Sequence, residues 1–151
     1  VKSKVKNIHA SGVCVVSKTP DIANARIEFE NGCVANLTTS RISMKAMRKS
    51  RFFQKDAYVS VDFLEKKAEV IRMKDAPENP TPYDMIIENA EGEKNQILFE
   101  YPNIQPNNAI LDELNSFAEA ILENKNVEVS LEDGTEALKV ALEIMKVINQ
   151  A

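Results

Sequence analysis

The chain has 151 residues, of which 44% are hydrophobic and 28% are charged, and its formal net charge is −4. This length and composition are typical of one globular domain with its own core, and they exclude a disordered chain. The acidic balance argues against a surface made for nucleic acid or anionic lipid, and no apolar run approaches the roughly 18 residues of a membrane span.

The amino-terminal residues and the cysteines indicate a cytoplasmic location. Residues 1–5 mix valine with lysine and lack the apolar core of a secretory signal. Cys14 and Cys33 lie in apolar, strand-like runs, where we expect buried free thiols, although a bridge between adjacent strands is sterically possible. Two cysteines and one histidine do not make a zinc cluster, so we predict no metal site.

The first strands of the chain are predicted from Val5 to Thr39. Val5–Val16 is predicted to be a strand that bends or bulges at Ser11-Gly12. The alternating run Ala25–Glu30 is followed by Asn31-Gly32 and then by Cys33–Thr39. Because Asn-Gly supplies the positive φ angles of a tight two-residue turn, these two runs are predicted to form a β-hairpin.

Two further hairpins are predicted before residue 102. The first joins Ala57–Phe63 to Ala68–Met73, and the second joins Tyr83–Glu88 to Gln96–Tyr101. The segment between them, Asp75–Pro82, contains three prolines. It is therefore predicted to be a surface loop.

The last third of the chain changes to an apolar period of three or four residues, which predicts two helices. The first carries an apolar stripe over Ile110–Leu122, and Asn107 or Asn108 can cap its start. The second covers Asp133–Asn149, and Ser130 precedes it at the spacing of a capping box. The apolar stripe predicted for the second helix consists of Leu138, Ala141, Leu142, Met145 and Ile148.

These elements predict an α+β fold, in which two C-terminal helices cover one face of an open, mainly antiparallel sheet. We expect residues 1–151 to form a single domain. Two helices cover about 20 Å of width. Six to eight strands span roughly 25–35 Å. Part of the sheet is therefore expected to pack against another subunit or domain, although a two-layer monomer with an apolar outer face is the alternative.

The segment Arg41–Lys55 is the most informative part of the chain for function. It holds six basic residues and no acidic one. The other 13 basic and 23 acidic residues give the rest of the chain a net charge of −10. Arginine grips carboxylates and phosphates with two hydrogen bonds, so the segment suggests an anion-binding rim. A solvated loop, or ion pairs formed with acidic neighbours after folding, is the alternative.

Residues 21–41, DIANARIEFENGCVANLTTSR, resemble a stretch typical of the Gfo/Idh/MocA oxidoreductases. Later positions resemble the pattern of a bacterial subgroup, namely Arg48, Arg51, Phe53, Gln54 and Tyr58. The end of the chain is similar to the closing helices of that family through Glu113, Leu114, Phe117 and residues 130–134. The similarity extends over nearly the whole chain.

The resemblance implies that residues 1–151 are the C-terminal domain of a two-domain enzyme. Members of the family carry the glycine-rich dinucleotide loop and the catalytic lysine on an N-terminal Rossmann domain, which this chain does not contain. The parent protein is then expected to use NAD or NADP on a sugar or sugar-nucleotide hydroxyl, while this domain alone binds no cofactor and is inactive. His9 does not match the family's catalytic histidine, so no catalytic residue is assigned.

Carried onto this sequence, the resemblance implies substrate contacts from Arg41, Arg51, Gln54 and Asn108. Arg41 ranks first because it directly follows a strand, and a phosphorylated or nucleotide-linked sugar would explain the arginines. The expected partners are this substrate, the protein's own Rossmann domain and further copies of the chain through the open sheet face, but neither nucleic acid nor membrane. The alternative is a stand-alone, non-enzymatic sheet module for dimerisation or anion binding.

Overall fold

The computed structural model describes residues 1–150 and contains eight strands and two helices. The strands are β1 (Val5–Val13), β2 (Ile22–Phe29), β3 (Val34–Ser40), β4 (Lys49–Phe53), β5 (Ala57–Asp62), β6 (Lys67–Asp75), β7 (Met85–Glu88) and β8 (Lys94–Glu100). The helices are α1 (Ala109–Leu122) and α2 (Leu131–Gln150). The predicted α+β class is confirmed. Over the described residues, neither helix is long and apolar enough to cross a membrane.

The strands form two antiparallel sheets, which divides the single sheet that the sequence suggested. One sheet has the order β1-β2-β3 and the other has the order β4-β5-β6-β8-β7. The first belongs to a compact unit made of Val1–Met44 and the chain from Ile110 onward, which includes α2 and nearly all of α1. The second lies in the unit Lys45–Ala109.

In the first unit, the three-stranded sheet packs against α2 through β1. Ala25 and Ile27 on β2 are buried. A Cβ atom added at Gly12 would lie only 2.9 Å from Ile148 Cγ2 and 3.0 Å from Pro20 Cβ. The absence of a side chain at Gly12 therefore allows α2 to approach the sheet closely.

The face of α2 that is partly buried shares only Ile148 with the stripe that the sequence predicted. The half-buried apolar residues of the helix are Val140, Ile144, Val147 and Ile148. Leu138 and Leu142, from the predicted stripe, are 60% and 61% exposed. The helix has apolar residues on two faces, and spacing alone does not say which one meets the sheet. The predicted stripe of α1 is likewise exposed, and Ala120 is the only residue of that helix that is buried.

The β2–β3 hairpin is confirmed, but its turn is one residue longer than predicted. Gly32 N donates to Phe29 O at 3.0 Å, and Phe29 N donates to Cys33 O at 2.9 Å. Only Gly32 has a positive φ in this turn, at 83°. The loop therefore has three residues and ends in a glycine bulge, and β2 and β3 pair in a register in which Ile22 faces Ser40.

Several other local predictions can be compared with the structure. The register of β1 shifts between Val5 and Asn7 and not at Ser11-Gly12, where pairing with β2 is regular. The capping box before α2 is confirmed, because Asp133 N donates to Ser130 Oγ at 3.1 Å and Ser130 N donates to Asp133 Oδ2 at 3.1 Å. The side chain of Ser130 and its amide lower the pKa of Asp133.

The two cysteines are free, but the prediction that they are buried is wrong. Both Cys14 and Cys33 are exposed. Cys14 follows the last residue of β1, and Cys33 directly precedes β3. Apolar neighbours in the sequence did not imply burial here because both positions lie just outside their strands.

Candidate functional site

Arg41, the first predicted substrate contact, forms an ion pair with a buried carboxylate. Its Nε donates to Asp21 Oδ1 at 2.7 Å. Its Nη2 donates to Thr19 Oγ1 at 2.7 Å and to Thr19 O at 3.1 Å. The Asp21 side chain is fully buried, whereas that of Arg41 is 53% exposed. The pair therefore joins the interior of the first unit to its surface.

The other oxygen of Asp21 binds the loop that connects β1 to β2. Oδ2 accepts hydrogen bonds from the amides of Val15, Val16 and Ser17 at 2.8, 2.8 and 2.9 Å. A buried charge is tolerated when it is paired and hydrogen-bonded in this way. The Ser17 amide, then those of Val15 and Val16, and finally the Arg41 guanidinium lower the pKa of Asp21 well below its ordinary value of 3.8, although burial opposes the shift.

The register of the β2–β3 hairpin explains why Asp21 and Arg41 meet. Ile22 faces Ser40 across the two strands. The next pair outward is Asp21 and Arg41, and Arg41 N donates to Asp21 O at 3.0 Å. Sequence reasoning did not identify Asp21. The only available signal was the hairpin, but counting outward from the two-residue turn predicted at Asn31-Gly32 pairs Arg41 with Ile22 and not with Asp21.

Two of the other predicted contacts, Arg51 and Gln54, lie three positions apart at β4 in the second unit. Both are exposed. Arg51 faces Ser60 on β5, and Ser60 in turn faces Glu69 on β6. Gln54 follows β4, and its backbone amide donates to Ala57 O at 2.8 Å. The structure therefore places both residues at an edge strand of the five-stranded sheet.

Asn108, the fourth predicted contact, directly precedes α1 at the opposite end of β5 from Gln54. Its neighbour Asn107 accepts a hydrogen bond from Lys66 Nζ through its backbone carbonyl at 2.7 Å. Lys66 belongs to the turn that follows β5, whereas Gln54 bonds to the first residue of that strand. Five residue steps at 3.3 Å separate the two ends by roughly 17 Å. These residues could touch one ligand together only if it were an elongated molecule.

The basic segment is partly neutralised in the structure. Besides Arg41, Lys49 is paired, through Nζ and Asp62 Oδ2 at 3.0 Å. The Asp62 carboxylate raises the pKa of Lys49. The Glu65 amide and then Lys49 lower the pKa of Asp62. Arg41 and Lys49 therefore form the ion pairs that the alternative interpretation expected, and the anion-binding rim stays a prediction.

The outward face of the three-stranded sheet carries a row of polar side chains. His9, Arg26 and Asn36 are cross-strand neighbours. Arg26 pairs with Glu28 at 3.4 Å, and Asn7 Nδ2 donates to His9 Nε2 at 2.8 Å. This is the arrangement of a solvated sheet face. Within residues 1–150, no group of three or more His, Cys, Asp or Glu side chains is arranged to hold a metal ion.

The described residues do not form a Rossmann-type dinucleotide site. Such cofactors bind in the crevice at the carboxyl ends of parallel strands, beside a glycine-rich turn that opens a helix. Every strand pairing in residues 1–150 is antiparallel. The chain has only four glycines and no G-x-G-x-x-G motif.

Comparison with known proteins relates the chain to a sugar-nucleotide dehydrogenase. No family model matches the sequence. A stretch of 58 residues, 38% of the chain, is 43% identical to UDP-N-acetylglucosamine 3-dehydrogenase of Acidithiobacillus ferrooxidans and corresponds to 18% of that protein.

Solved structures show the same relationship over the whole fold. The structure of UDP-N-acetylglucosamine 3-dehydrogenase GnnA from Acidithiobacillus ferrooxidans superposes with a TM-score of 0.79 and 26% identity over 97% of this chain. A second crystal form of it gives 0.77 and 25%. An NAD-binding protein from Listeria innocua has the same fold, with a TM-score of 0.65 and 16% identity over 99% of this chain. This chain spans 42% of the length of the GnnA chain.

Proposed function

We propose that this chain is the substrate-pocket and oligomerisation domain of an NAD(P)-dependent oxidoreductase of the Gfo/Idh/MocA type. The substrate is a sugar nucleotide, and one hydroxyl of its sugar is oxidised. The observation that carries the proposal is the superposition of nearly the whole chain on UDP-N-acetylglucosamine 3-dehydrogenase. The shorter stretch of higher sequence identity to the same kind of enzyme supports it.

In this proposal, NAD or NADP is held by a Rossmann domain outside residues 1–151. The antiparallel pairing of the described strands and the lack of a glycine-rich motif support that assignment. When bound, the nicotinamide supplies the hydride acceptor. The residues of this chain bind and orient the sugar nucleotide, and the isolated chain is inactive.

The substrate contacts proposed in this chain are Arg41, Arg51, Gln54 and Asn108. A nucleotide-linked sugar carries a diphosphate, whose charge suits guanidinium groups. The exposure of Arg41 and Arg51 supports contact with such a ligand. The separation of Gln54 from Asn108 favours an elongated substrate such as a nucleotide-sugar over a free sugar.

The proposed oligomer interface is one face of the five-stranded sheet, formed by an apolar row that crosses four strands. In register, the row consists of Phe53, Tyr58, Ile71 and Phe99. Phe53 is 76% exposed and Phe99 is 47% exposed. Contiguous apolar surface of this kind marks protein interfaces, and we propose that a second copy of the chain covers it.

The proposed function is tested with the complete protein that contains this chain. We expect its reading frame to encode a glycine-rich dinucleotide-binding domain before Val1. We also expect the purified protein to reduce NAD⁺ or NADP⁺ when given UDP-N-acetylglucosamine, whereas residues 1–151 alone do not. A natural start at Val1, with no reduction of either cofactor, would contradict the proposal and favour a stand-alone binding module.

A further inference from the structure

Asp21 is the only charged side chain that is buried in the described part of the chain. One of its oxygens binds three amides of the β1–β2 loop, and the other binds Arg41. The loop, through Thr19, binds the same guanidinium. Loop, carboxylate and arginine therefore form one closed ring of hydrogen bonds, which we call the Asp21 clamp.

The clamp determines which side of the Arg41 guanidinium can meet a ligand. The bonds to Asp21 and Thr19 occupy Nε and Nη2, on one edge of the planar group. Within residues 1–150, Nη1 of Arg41 has no hydrogen-bond acceptor. With half of the side chain exposed, the two N–H groups of Nη1 are the donors left to face solvent.

We infer that Asp21 is a positioning residue, which holds Arg41 so that Nη1 is presented to a phosphate of the sugar nucleotide. This inference rests on the proposed function. A side chain that is already fixed in its binding geometry loses little rotamer freedom when the ligand arrives, which increases affinity. Lysine cannot replace Arg41, because its ammonium is a point charge that cannot serve Asp21, Thr19 and a phosphate in one plane.

The same contacts would also exist in a clamp that only stabilises the loop, so the test must separate binding from stability. Asp62 provides the matched control, because its carboxylate accepts hydrogen bonds from the amides of Leu64 and Glu65 and pairs with Lys49. Asp62 therefore holds Lys49 as Asp21 holds Arg41, but Lys49 is not a proposed substrate contact. Asp21→Asn and Asp62→Asn should both lower the melting temperature.

The experiment measures the affinity of the complete protein for UDP-N-acetylglucosamine and for free N-acetylglucosamine by calorimetry, together with kcat and KM. We expect Asp21→Asn to raise the Kd and KM for the nucleotide sugar about tenfold, as for a lost charge-assisted hydrogen bond, with kcat nearly unchanged. Affinity for the free sugar should stay the same in this variant. Arg41→Lys should behave like Asp21→Asn, and Asp62→Asn should leave Kd and KM unchanged.

A milder variant covers the case in which Asp21→Asn does not fold. Thr19→Ala removes one acceptor of Nη2 on an exposed loop and keeps Asp21, and we expect it to raise Kd about threefold. If the wild type binds the nucleotide sugar and neither folded variant changes Kd, the positioning role is wrong and the clamp is only structural. If the wild type does not bind UDP-N-acetylglucosamine at all, the proposed function fails and this inference fails with it.

Discussion

The Asp21 carboxylate keeps its charge inside the first unit because both of its oxygens accept hydrogen bonds, from three backbone amides and from the Arg41 guanidinium. Its pKa in the folded chain lies below that of an unfolded chain, chiefly because of the Ser17 amide. A carboxylate of this kind contributes stability above its unfolded pKa, and the contribution is lost as the pH falls through the folded pKa. Asp62, Asp84 and Asp133 have lowered pKa values as well.

Acidification should therefore destabilise the chain, with Asp21 as a main contributor. We expect the melting temperature to fall between about pH 5 and pH 2. The Asp21→Asn variant should have a lower melting temperature at neutral pH. Its melting temperature should fall by roughly 5 °C less than that of the wild type over the same pH range. Thermal unfolding followed by circular dichroism at several pH values checks this. Parallel curves for the two proteins would show that Asp21 does not titrate as described.

A side chain at the glycine of the β2–β3 turn should destabilise the fold. Gly32 has a φ of 83°, so Gly32→Ala should destabilise by about 1–2 kcal/mol, the cost of left-handed backbone in an ordinary residue. Gly134 is the control, since it lies in α2 with nothing within 4 Å of its added Cβ. Gly134→Ala should stabilise by about 0.5–1 kcal/mol through helix propensity. Urea unfolding that gave both variants the same sign would contradict this assignment.

Arg41 could be selected from the sequence, but its partner could not. The two-residue turn predicted at Asn31-Gly32 would have placed Arg41 opposite Ile22. The three-residue turn shifts the pairing by one position and places it opposite Asp21. The sequence signal for the hairpin was strong, yet Asn-Gly is compatible with both turns. The length of the turn therefore determines whether Arg41 faces an apolar residue or a carboxylate.

Among the elements, the contact of β1 with α2 depends on Gly12. Gly12→Ala should destabilise by about 1–3 kcal/mol, since the new Cβ would lie 2.9 Å from Ile148 Cγ2. Ile148→Ala removes that methyl group, so the double variant should lose less than the two single variants added together. A coupling of about 0.5–3 kcal/mol in a double-mutant cycle is expected. Strict additivity would mean that the two residues do not meet.

The helices show where periodicity stops being informative. Their existence, their bounds to within two residues and the capping box at Ser130 were predictable, because these depend on local sequence. The buried face of α2 was not, because the helix has two apolar faces and the choice between them depends on contacts distant in sequence. The helix α1 was likewise predicted correctly, but its predicted apolar stripe is exposed.

For the whole molecule, the proposed interface can be tested with two adjacent residues. Phe53 and Phe52 alternate on β4, so they point to opposite faces of the five-stranded sheet, and they are 76% and 52% exposed. Phe53→Asp should weaken self-association of the complete protein at least tenfold, measured by analytical ultracentrifugation. Phe52→Asp should leave it unchanged. Dissociation by Phe52→Asp alone would place the interface on the other face.

Strand content and antiparallel pairing were predictable from the sequence, but the division into two sheets was not. Hairpins depend on local turns, which the sequence displays, whereas the partner of an edge strand depends on contacts distant in sequence. The residues between β3 and β4 belong to the basic segment. Nothing in their sequence indicates that β3 and β4 lie in different sheets.

The three-residue turn between β2 and β3 also constrains how relatives of this chain can diverge. Substitutions at its first two positions leave the strand pairing as it is. Loss of a single codon from the turn would shift the pairing of β3 with β2 by one position. Asp21 and Arg41, each about ten residues from the turn, would then no longer face each other. Among natural variants we therefore expect this turn to vary in composition but not in length, and a gap there in an alignment should coincide with the loss of one of the two charged residues.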